Sequence, residues 1–264
     1  MALGTSAPEL LVAIRAILDN SPGIALGNVV GSNIANVFLV LGIPALIAGI
    51  NTREFNTRKN YVFMMIATVI FLSVAFIGNF SLPQGILFLI LLALFLLITA
   101  RDTLKMQNKT SNLEVENADP TLVFWKIILF LSLGFIGLPI GADILVKNAS
   151  LIAKSYGLSD EVIGLTLVAL GTSLPELATT LMAALRKQAE VALGNVIGSN
   201  IFNLFAIVGI TTMFGDIPIA PSFFNFDFWI MFGAGIVLFP FVYMRVNINR
   251  LWGAFLTLTY AAYL

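Results

Sequence analysis

Gly4-Thr5-Ser6-Ala7-Pro8-Glu9-Leu10 returns, with one change, as Gly171-Thr172-Ser173-Leu174-Pro175-Glu176-Leu177. Each copy sets a proline and a glutamate in a run otherwise apolar enough for lipid. Proline has no backbone N–H and clashes with the carbonyl four residues back, so a helix breaks there. Pro8 would free the carbonyl of Gly4, and Pro175 that of Gly171. Freed carbonyls, hydroxyls and a carboxylate are hard oxygen ligands of the kind that suit calcium, sodium or magnesium. An ionisable group at membrane depth is costly and points to function. Two such groups on two matching broken helices are what an ion carrier needs at its midplane.

The likeness extends beyond the motif. At a constant offset of 167 residues (Gly4 to Gly171), Ala2–Gly42 matches Ala169–Gly209 without a gap. The identities number about 22 of 41 positions, which marks an internal repeat. They concentrate in Ala-Leu-Gly-Thr-Ser-x-Pro-Glu-Leu and in Gly-Asn-Val-x-Gly-Ser-Asn-Ile-x-Asn-x-Phe. Asn28, Ser32 and Asn36 recur every fourth residue, as do Asn195, Ser199 and Asn203, so each set makes a polar stripe on an apolar helix. Gly27, Gly31, Gly194 and Gly198 leave room for a second backbone to come close. Stripe and broken motif are therefore expected to face each other. An ordinary duplicated hairpin glued by interhelical hydrogen bonds is the plainer alternative, but glue rarely uses paired acids at membrane depth.

Composition agrees with a membrane protein: 59% of residues are apolar and 11% charged. The net charge of zero argues against nucleic-acid binding. No Cys is present, which removes disulfides and thiolate metal sites, and no His, which removes the commonest proton shuttle. No phosphate-binding signature occurs. Apolar spans are expected near 1–18, 23–50, 61–78, 83–100, 121–153, 160–185, 191–214, 226–244 and 248–264. The pattern divides the chain into a first half, 1–100, a polar linker, 101–120, and a second half, 121–264. Asp143 is a lesser candidate for the site, and Asp227 is expected at the interface.

Lys and Arg set the orientation. If the loops alternate sides, one side collects eleven of them, Arg53 to Arg250, and the other only Arg15, Lys147 and Lys154. By the positive-inside rule the rich side is cytoplasmic, with the 101–120 linker inside and Leu264 outside. An odd number of crossings then separates the two motif copies, which makes the repeats inverted. The second half carries about 50 residues before its motif and the first half three, so repeat symmetry predicts a missing first helix and a missing start of the second.

Two ionised glutamates give the site a charge of about −2, which one divalent cation cancels in a dry interior. Carbonyls, hydroxyls and Glu suit the flexible coordination of calcium better than the strict octahedron of magnesium, and several sodium ions can share the same oxygens. Ions competing for one ligand set under alternating access exchange without ATP. An intramembrane hydrolase built on paired acids is the enzymatic alternative, but no nucleophile or oxyanion device accompanies the acids. A cation channel usually assembles its ring from several subunits, whereas this chain carries its own pair. A non-transporting fragment is a further alternative.

The two segments resemble the alpha repeats of the cation/calcium exchanger superfamily, in its prokaryotic sodium/calcium exchanger branch, over essentially the whole chain. The resemblance implies an all-α integral membrane fold of two inverted repeats of about five helices, and an antiporter rather than an enzyme, with no cofactor. It implies that Glu9 and Glu176, helped by Thr5 and Thr172, hold Ca2+. It implies that Ala2, Ser6, Ser32, Ala169, Ser173 and Ser199 help form Na+ sites, flanked by Asn36 and Asn203. In some relatives the second of these is Asp, and potassium-dependent relatives share that Asp. Asn at both positions here weakens potassium co-transport and leaves Na+ against H+ coupling open. The implied location is the cell membrane, with the lipid bilayer and the transported ions as partners.

Overall fold

The computed structural model describes residues 2–52, 57–107 and 154–264, with isolated helical positions between 125 and 151. Asp143 and most of the 101–120 linker lie outside the described residues. Among the described residues the secondary structure is helical, apart from two isolated β-bridges.

The first half runs α1 (Ala2–Thr5), α2 (Ala7–Leu18) and α3 (Pro22–Ala35), which passes through a π-helical turn at Asn36–Val40 into α4 (Gly42–Ala48). Two long helices follow, α5 (Arg58–Ile77) and α6 (Leu82–Gln107). The expected hairpin between them is present, but α6 continues helically to residue 107, into the stretch expected to be linker. In the second half, the continuously described part runs through α7 (Asp160–Ile163), a π turn at Gly164–Val168 and α8 (Ala169–Thr172). After a break come α9 (Leu174–Leu185) and α10 (Ala189–Phe202), then a π turn at Asn203–Ile207 and α11 (Val208–Thr211). A π turn at Phe223–Asp227, α12 (Phe228–Val237), α13 (Phe239–Val242) and α14 (Arg250–Tyr263) complete the chain.

Among the described residues, five helical stretches are long and apolar enough to cross a membrane: Pro22–Ala48, Arg58–Ile77, Leu82–Asp102, Ala189–Thr211 and Phe223–Val242. The pair Asp160–Thr172 and Leu174–Leu185, bent by 43°, makes a sixth. Their burial differs by role. Pro22–Ala48 and Ala189–Thr211 are 78% buried, whereas Leu82–Asp102 is 17% buried, so the Gly/Asn-rich helices form the centre and α6 faces outward.

Packing crosses between the halves in matched pairs. α1 lies on α10 and α8 on α3; α2 meets α11 and α9 meets α4; α6 packs on α11 and α14 on α4. The two bridges obey the same symmetry. Ile50 pairs with Ile248 through reciprocal N–H···O bonds of 2.8 and 3.0 Å, and Phe80 with Ile217 through bonds of 3.1 and 2.8 Å. Ile50 and Ile217 are repeat equivalents, so one bridge ties the end of α4 to the start of α14 and the other ties the end of α11 to the start of α6.

Glycine makes the closest crossing possible. A Cβ on Gly27 would lie 2.6 Å from the Glu161 carbonyl oxygen and 2.9 Å from the Gly164 Cα, and one on Gly31 would lie 2.7 Å from the Ala169 Cβ. Small residues thus bring α3 against the backbone of the second motif helix, as they do at membrane helix interfaces generally.

Candidate functional site

Both motif helices break at the same residue of the repeat. Ser6 (φ −86, ψ 10) separates α1 from α2, and Ser173 (φ −81, ψ 2) separates α8 from α9. Pro8 and Pro175 sit in the first turn of the restarted helix, where a missing N–H costs nothing. The first-turn acids Glu9 and Glu176 therefore enter the molecule at the head of a helix, where the macrodipole favours negative charge. Both are completely buried.

The breaks bring the halves together. Ser6 Oγ donates to Glu176 Oε1 at 2.8 Å, and Ser199 Oγ donates to the same oxygen at 3.5 Å. Thr5 adds a third side-chain hydrogen bond to Glu176. Glu9 lies within electrostatic reach of Glu176, while neither of its own carboxylate oxygens has a hydrogen-bond partner. Thr172 Oγ1 donates to Asn28 Oδ1 at 2.9 Å and stands 3.5 Å from Ser32 Oγ. Asn28 in turn reaches the Glu9 carbonyl through Nδ2 at 3.3 Å. Residues from α1, α2, α3, α8, α9 and α10 thus meet in one buried network.

The remaining expected residues sit around it. Asn36 Nδ2 donates to Asn200 Oδ1 at 3.0 Å, whereas Asn203 has both amide atoms unpartnered. Ser173 is buried with an unpartnered Oγ. Ala169 is buried, and its carbonyl accepts from Ser173 N at 3.1 Å and Thr172 Oγ1 at 3.4 Å. Ala2 opens α1, which packs on α10. Asn195 is turned to Thr180, with Nδ2 3.2 Å from Oγ1, and so belongs to the α9–α10 interface.

Buried polar atoms in folded proteins almost always have partners. Here Glu9 Oε1 and Oε2, Glu176 Oε2, Ser173 Oγ, Asn36 Oδ1 and the Asn203 amide are all buried without one. Most are oxygens, from two carboxylates, a hydroxyl and amides, which is a donor set for hard cations. Among the described residues no three acidic, His or Cys side chains gather in one place, so any cation held here relies on neutral oxygens beside the two glutamates.

Two residues escaped the sequence reading. Asn33 and Asn200 lie off the every-fourth stripe, yet Asn200 bonds Asn36; the only sequence signal was that both repeat. Asp227, expected at membrane-interface depth, is 9% exposed within the protein and accepts from Tyr263 Oη at 2.9 Å, a partner the sequence did not point to.

The architecture and the site define a polytopic membrane transporter with a buried oxygen-lined centre between two related halves. A model of the sodium/calcium exchanger protein family matches residues 1–101 and 126–264. This chain belongs to that family, and so it is a cation/Ca2+ antiporter rather than an enzyme. It is 40% identical over 220 residues to a membrane protein of Methanocaldococcus jannaschii, covering 83% of this chain and 70% of that one. It is 32% identical over 299 residues to the sodium/calcium exchanger MaX1 of Methanosarcina acetivorans, covering 100% of this chain and 85% of the relative. A structure of the sodium–calcium exchanger NCX_Mj, soaked with 2.5 mM Na+ and 1 mM Sr2+, superposes with a TM-score of 0.75 at 35% identity, covering 100% of this chain and 83% of that one. The expected all-α exchanger fold of two inverted halves is therefore the observed one.

Proposed function

We propose that this chain exchanges Ca2+ for Na+ by alternating access, with Glu9 and Glu176 as the central calcium ligands. The observation that carries this is the group of buried, unpartnered oxygens contributed by both motif helices and both Gly/Asn-rich helices. Left without a counter-charge, two buried carboxylates would be prohibitively costly. One Ca2+ neutralises them, with Thr5, Thr172 and the carbonyls near the breaks completing its shell. Ser6, Ser32, Ser173, Ser199, Ala2 and Ala169 supply Na+ ligands from the same oxygens, and Asn36 and Asn203 flank the centre. The halves are 1–100 and 121–264, joined by a cytoplasmic linker at 101–120, with the C-terminus outside the cell membrane.

Three Na+ on a site of about −2 leave about +1, so the sodium-loaded step carries charge, worth about 2.3 kcal/mol per 100 mV. In vesicles loaded with Na+ and clamped with potassium and valinomycin, a positive interior is expected to speed calcium entry and a negative one to slow it. A proton-coupled cycle is the second possibility, favoured by Glu9, whose carboxylate accepts no hydrogen bond from the protein. Calcium flux driven equally by a pH gradient without Na+, and indifferent to voltage, would decide for protons.

A further inference from the structure

The two halves carry matched amides that are not in matched states. Asn33 and Asn200 are repeat equivalents, as are Asn36 and Asn203, and all four are buried. Asn36 Nδ2 donates to Asn200 Oδ1 at 3.0 Å, and Asn200 Nδ2 reaches the Asn33 carbonyl at 3.5 Å. This fixes the Asn36 amide and leaves its Oδ1 as the unpartnered atom. Across the pseudo-twofold no such bond forms. Asn33 turns its Nδ2 back to the Val29 carbonyl at 2.7 Å, and Asn203 keeps neither amide atom partnered. The partners are nonetheless neighbours in both places. The π turn that begins at Asn203 packs on α3, just as the one that begins at Asn36 packs on α10.

A second asymmetry accompanies the first. α2–α11 and α9–α4 are equivalent contacts between halves. Beside the former, Ile17 closes on Gly215, just past the end of α11, where an added Cβ would meet Ile17 Cγ2 at 2.8 Å. In the latter the equivalents, Ala184 and Ala48, border a cavity of about 430 Å³ that also touches Gly49, Lys187 and Asn247. One gap is shut and its counterpart open, while one amide pair is made and its counterpart broken.

We propose that Asn200 and Asn33 are positioning residues that orient Asn36 and Asn203 in alternation. The Asn36–Asn200 bond belongs to the state with the α9–α4 gap open, and an Asn203–Asn33 bond to the state with the α2–α11 gap open. The inference rests on the alternating-access reading above. Its physical basis is that a buried amide left unpaired is costly, whereas trading one bond for its equivalent costs little. Each conformation thus keeps one amide fixed by its Nδ2 with its oxygen left unpartnered. The two conformations also stay close enough in energy for bound ions to shift their populations. π-helical turns, frequent at functional sites, lie at both amides that must reorient.

Spin-label distances test this without ion flux, so a failure to transport calcium would count against the proposed function and not against this inference. The chain has no native cysteine. Labels on Leu18→Cys with Met213→Cys report the α2–α11 gap, and labels on Leu185→Cys with Leu46→Cys report α9–α4; all four positions are exposed. Asn200→Ala is expected to move the population toward the open α2–α11 gap by at least about five-fold, the scale of one neutral hydrogen bond. Asn33→Ala and Asn203→Ala are expected to move it the other way by a similar factor. Combining Asn33→Ala with Asn200→Ala is expected to return it toward the parent value. If Asn200→Ala does not fold, the other two variants must still shift together. Shifts of one sign in every variant, or distances unchanged in all of them, would overturn the inference and leave Asn203 as an ion ligand only.

Discussion

Replacing Glu176 by Gln keeps the size of the side chain and removes one negative charge from a fully buried position. Three hydroxyls, those of Thr5, Ser6 and Ser199, already hydrogen-bond this carboxylate, so the amide is expected to be accommodated without disturbing the helix break. What changes is the charge balance. With Glu9 alone, a bound Ca2+ leaves about one uncompensated positive charge in a dry interior. Breaking such a buried pair costs about 3–5 kcal/mol. Every 1.4 kcal/mol is tenfold in affinity, so Ca2+ binding is expected to weaken by about 10²- to 10⁴-fold. Titration of the detergent-purified variant with ⁴⁵Ca2+ measures this directly, with thermal unfolding of the ion-free protein as a control for folding. Binding within about threefold of the parent, in a folded variant, would refute the assignment of Glu176 as a calcium ligand.

Ser6→Ala removes the 2.8 Å donor to Glu176 and is expected to weaken cation binding about tenfold, the worth of a hydrogen bond to a charged group; unchanged affinity in the same titration would count against the cross-half contact. Gly27→Ala places a methyl against the Glu161 carbonyl and is expected to lower stability by about 1–3 kcal/mol. Its equivalent Gly194→Ala, with nothing within 4 Å of the added carbon, is expected to be neutral or slightly stabilising. Equal melting temperatures for the two variants would contradict the packing described. Tyr263→Phe strips Asp227 of its 2.9 Å donor and is expected to cost about 1–3 kcal/mol in thermal unfolding, with no effect on Ca2+ affinity.

Much of this was legible because the chain states it twice. The repeat, the prolines and the glutamates located both breaks and both buried acids, since a proline at membrane depth has few alternatives to a broken helix. The Gly and Asn spacing foretold a close approach of stripe and broken motif but not which half's motif α3 would meet, and Gly194, with nothing within 4 Å of an added Cβ, does not make the close approach expected of it. The π turns were not legible, because the choice between an i−4 and an i−5 bond depends on packing rather than on side-chain pattern. Nor was the burial of Asp227, whose partner Tyr263 is 36 residues further on and whose apolar neighbours look the same for an interfacial acid. Asn33 and Asn200 were hidden for a related reason. The stripe counted every fourth residue of one helix, whereas these amides work between helices of opposite halves.

The central claim is that Glu9 and Glu176 share one divalent cation. Anomalous diffraction from crystals soaked in Sr2+, a heavier ion that binds oxygen as Ca2+ does, tests it most directly. The account predicts a single strong peak lying about 2.6 Å from carboxylate oxygens of both Glu9 and Glu176. A peak bound to one glutamate alone, or located away from both, would contradict it.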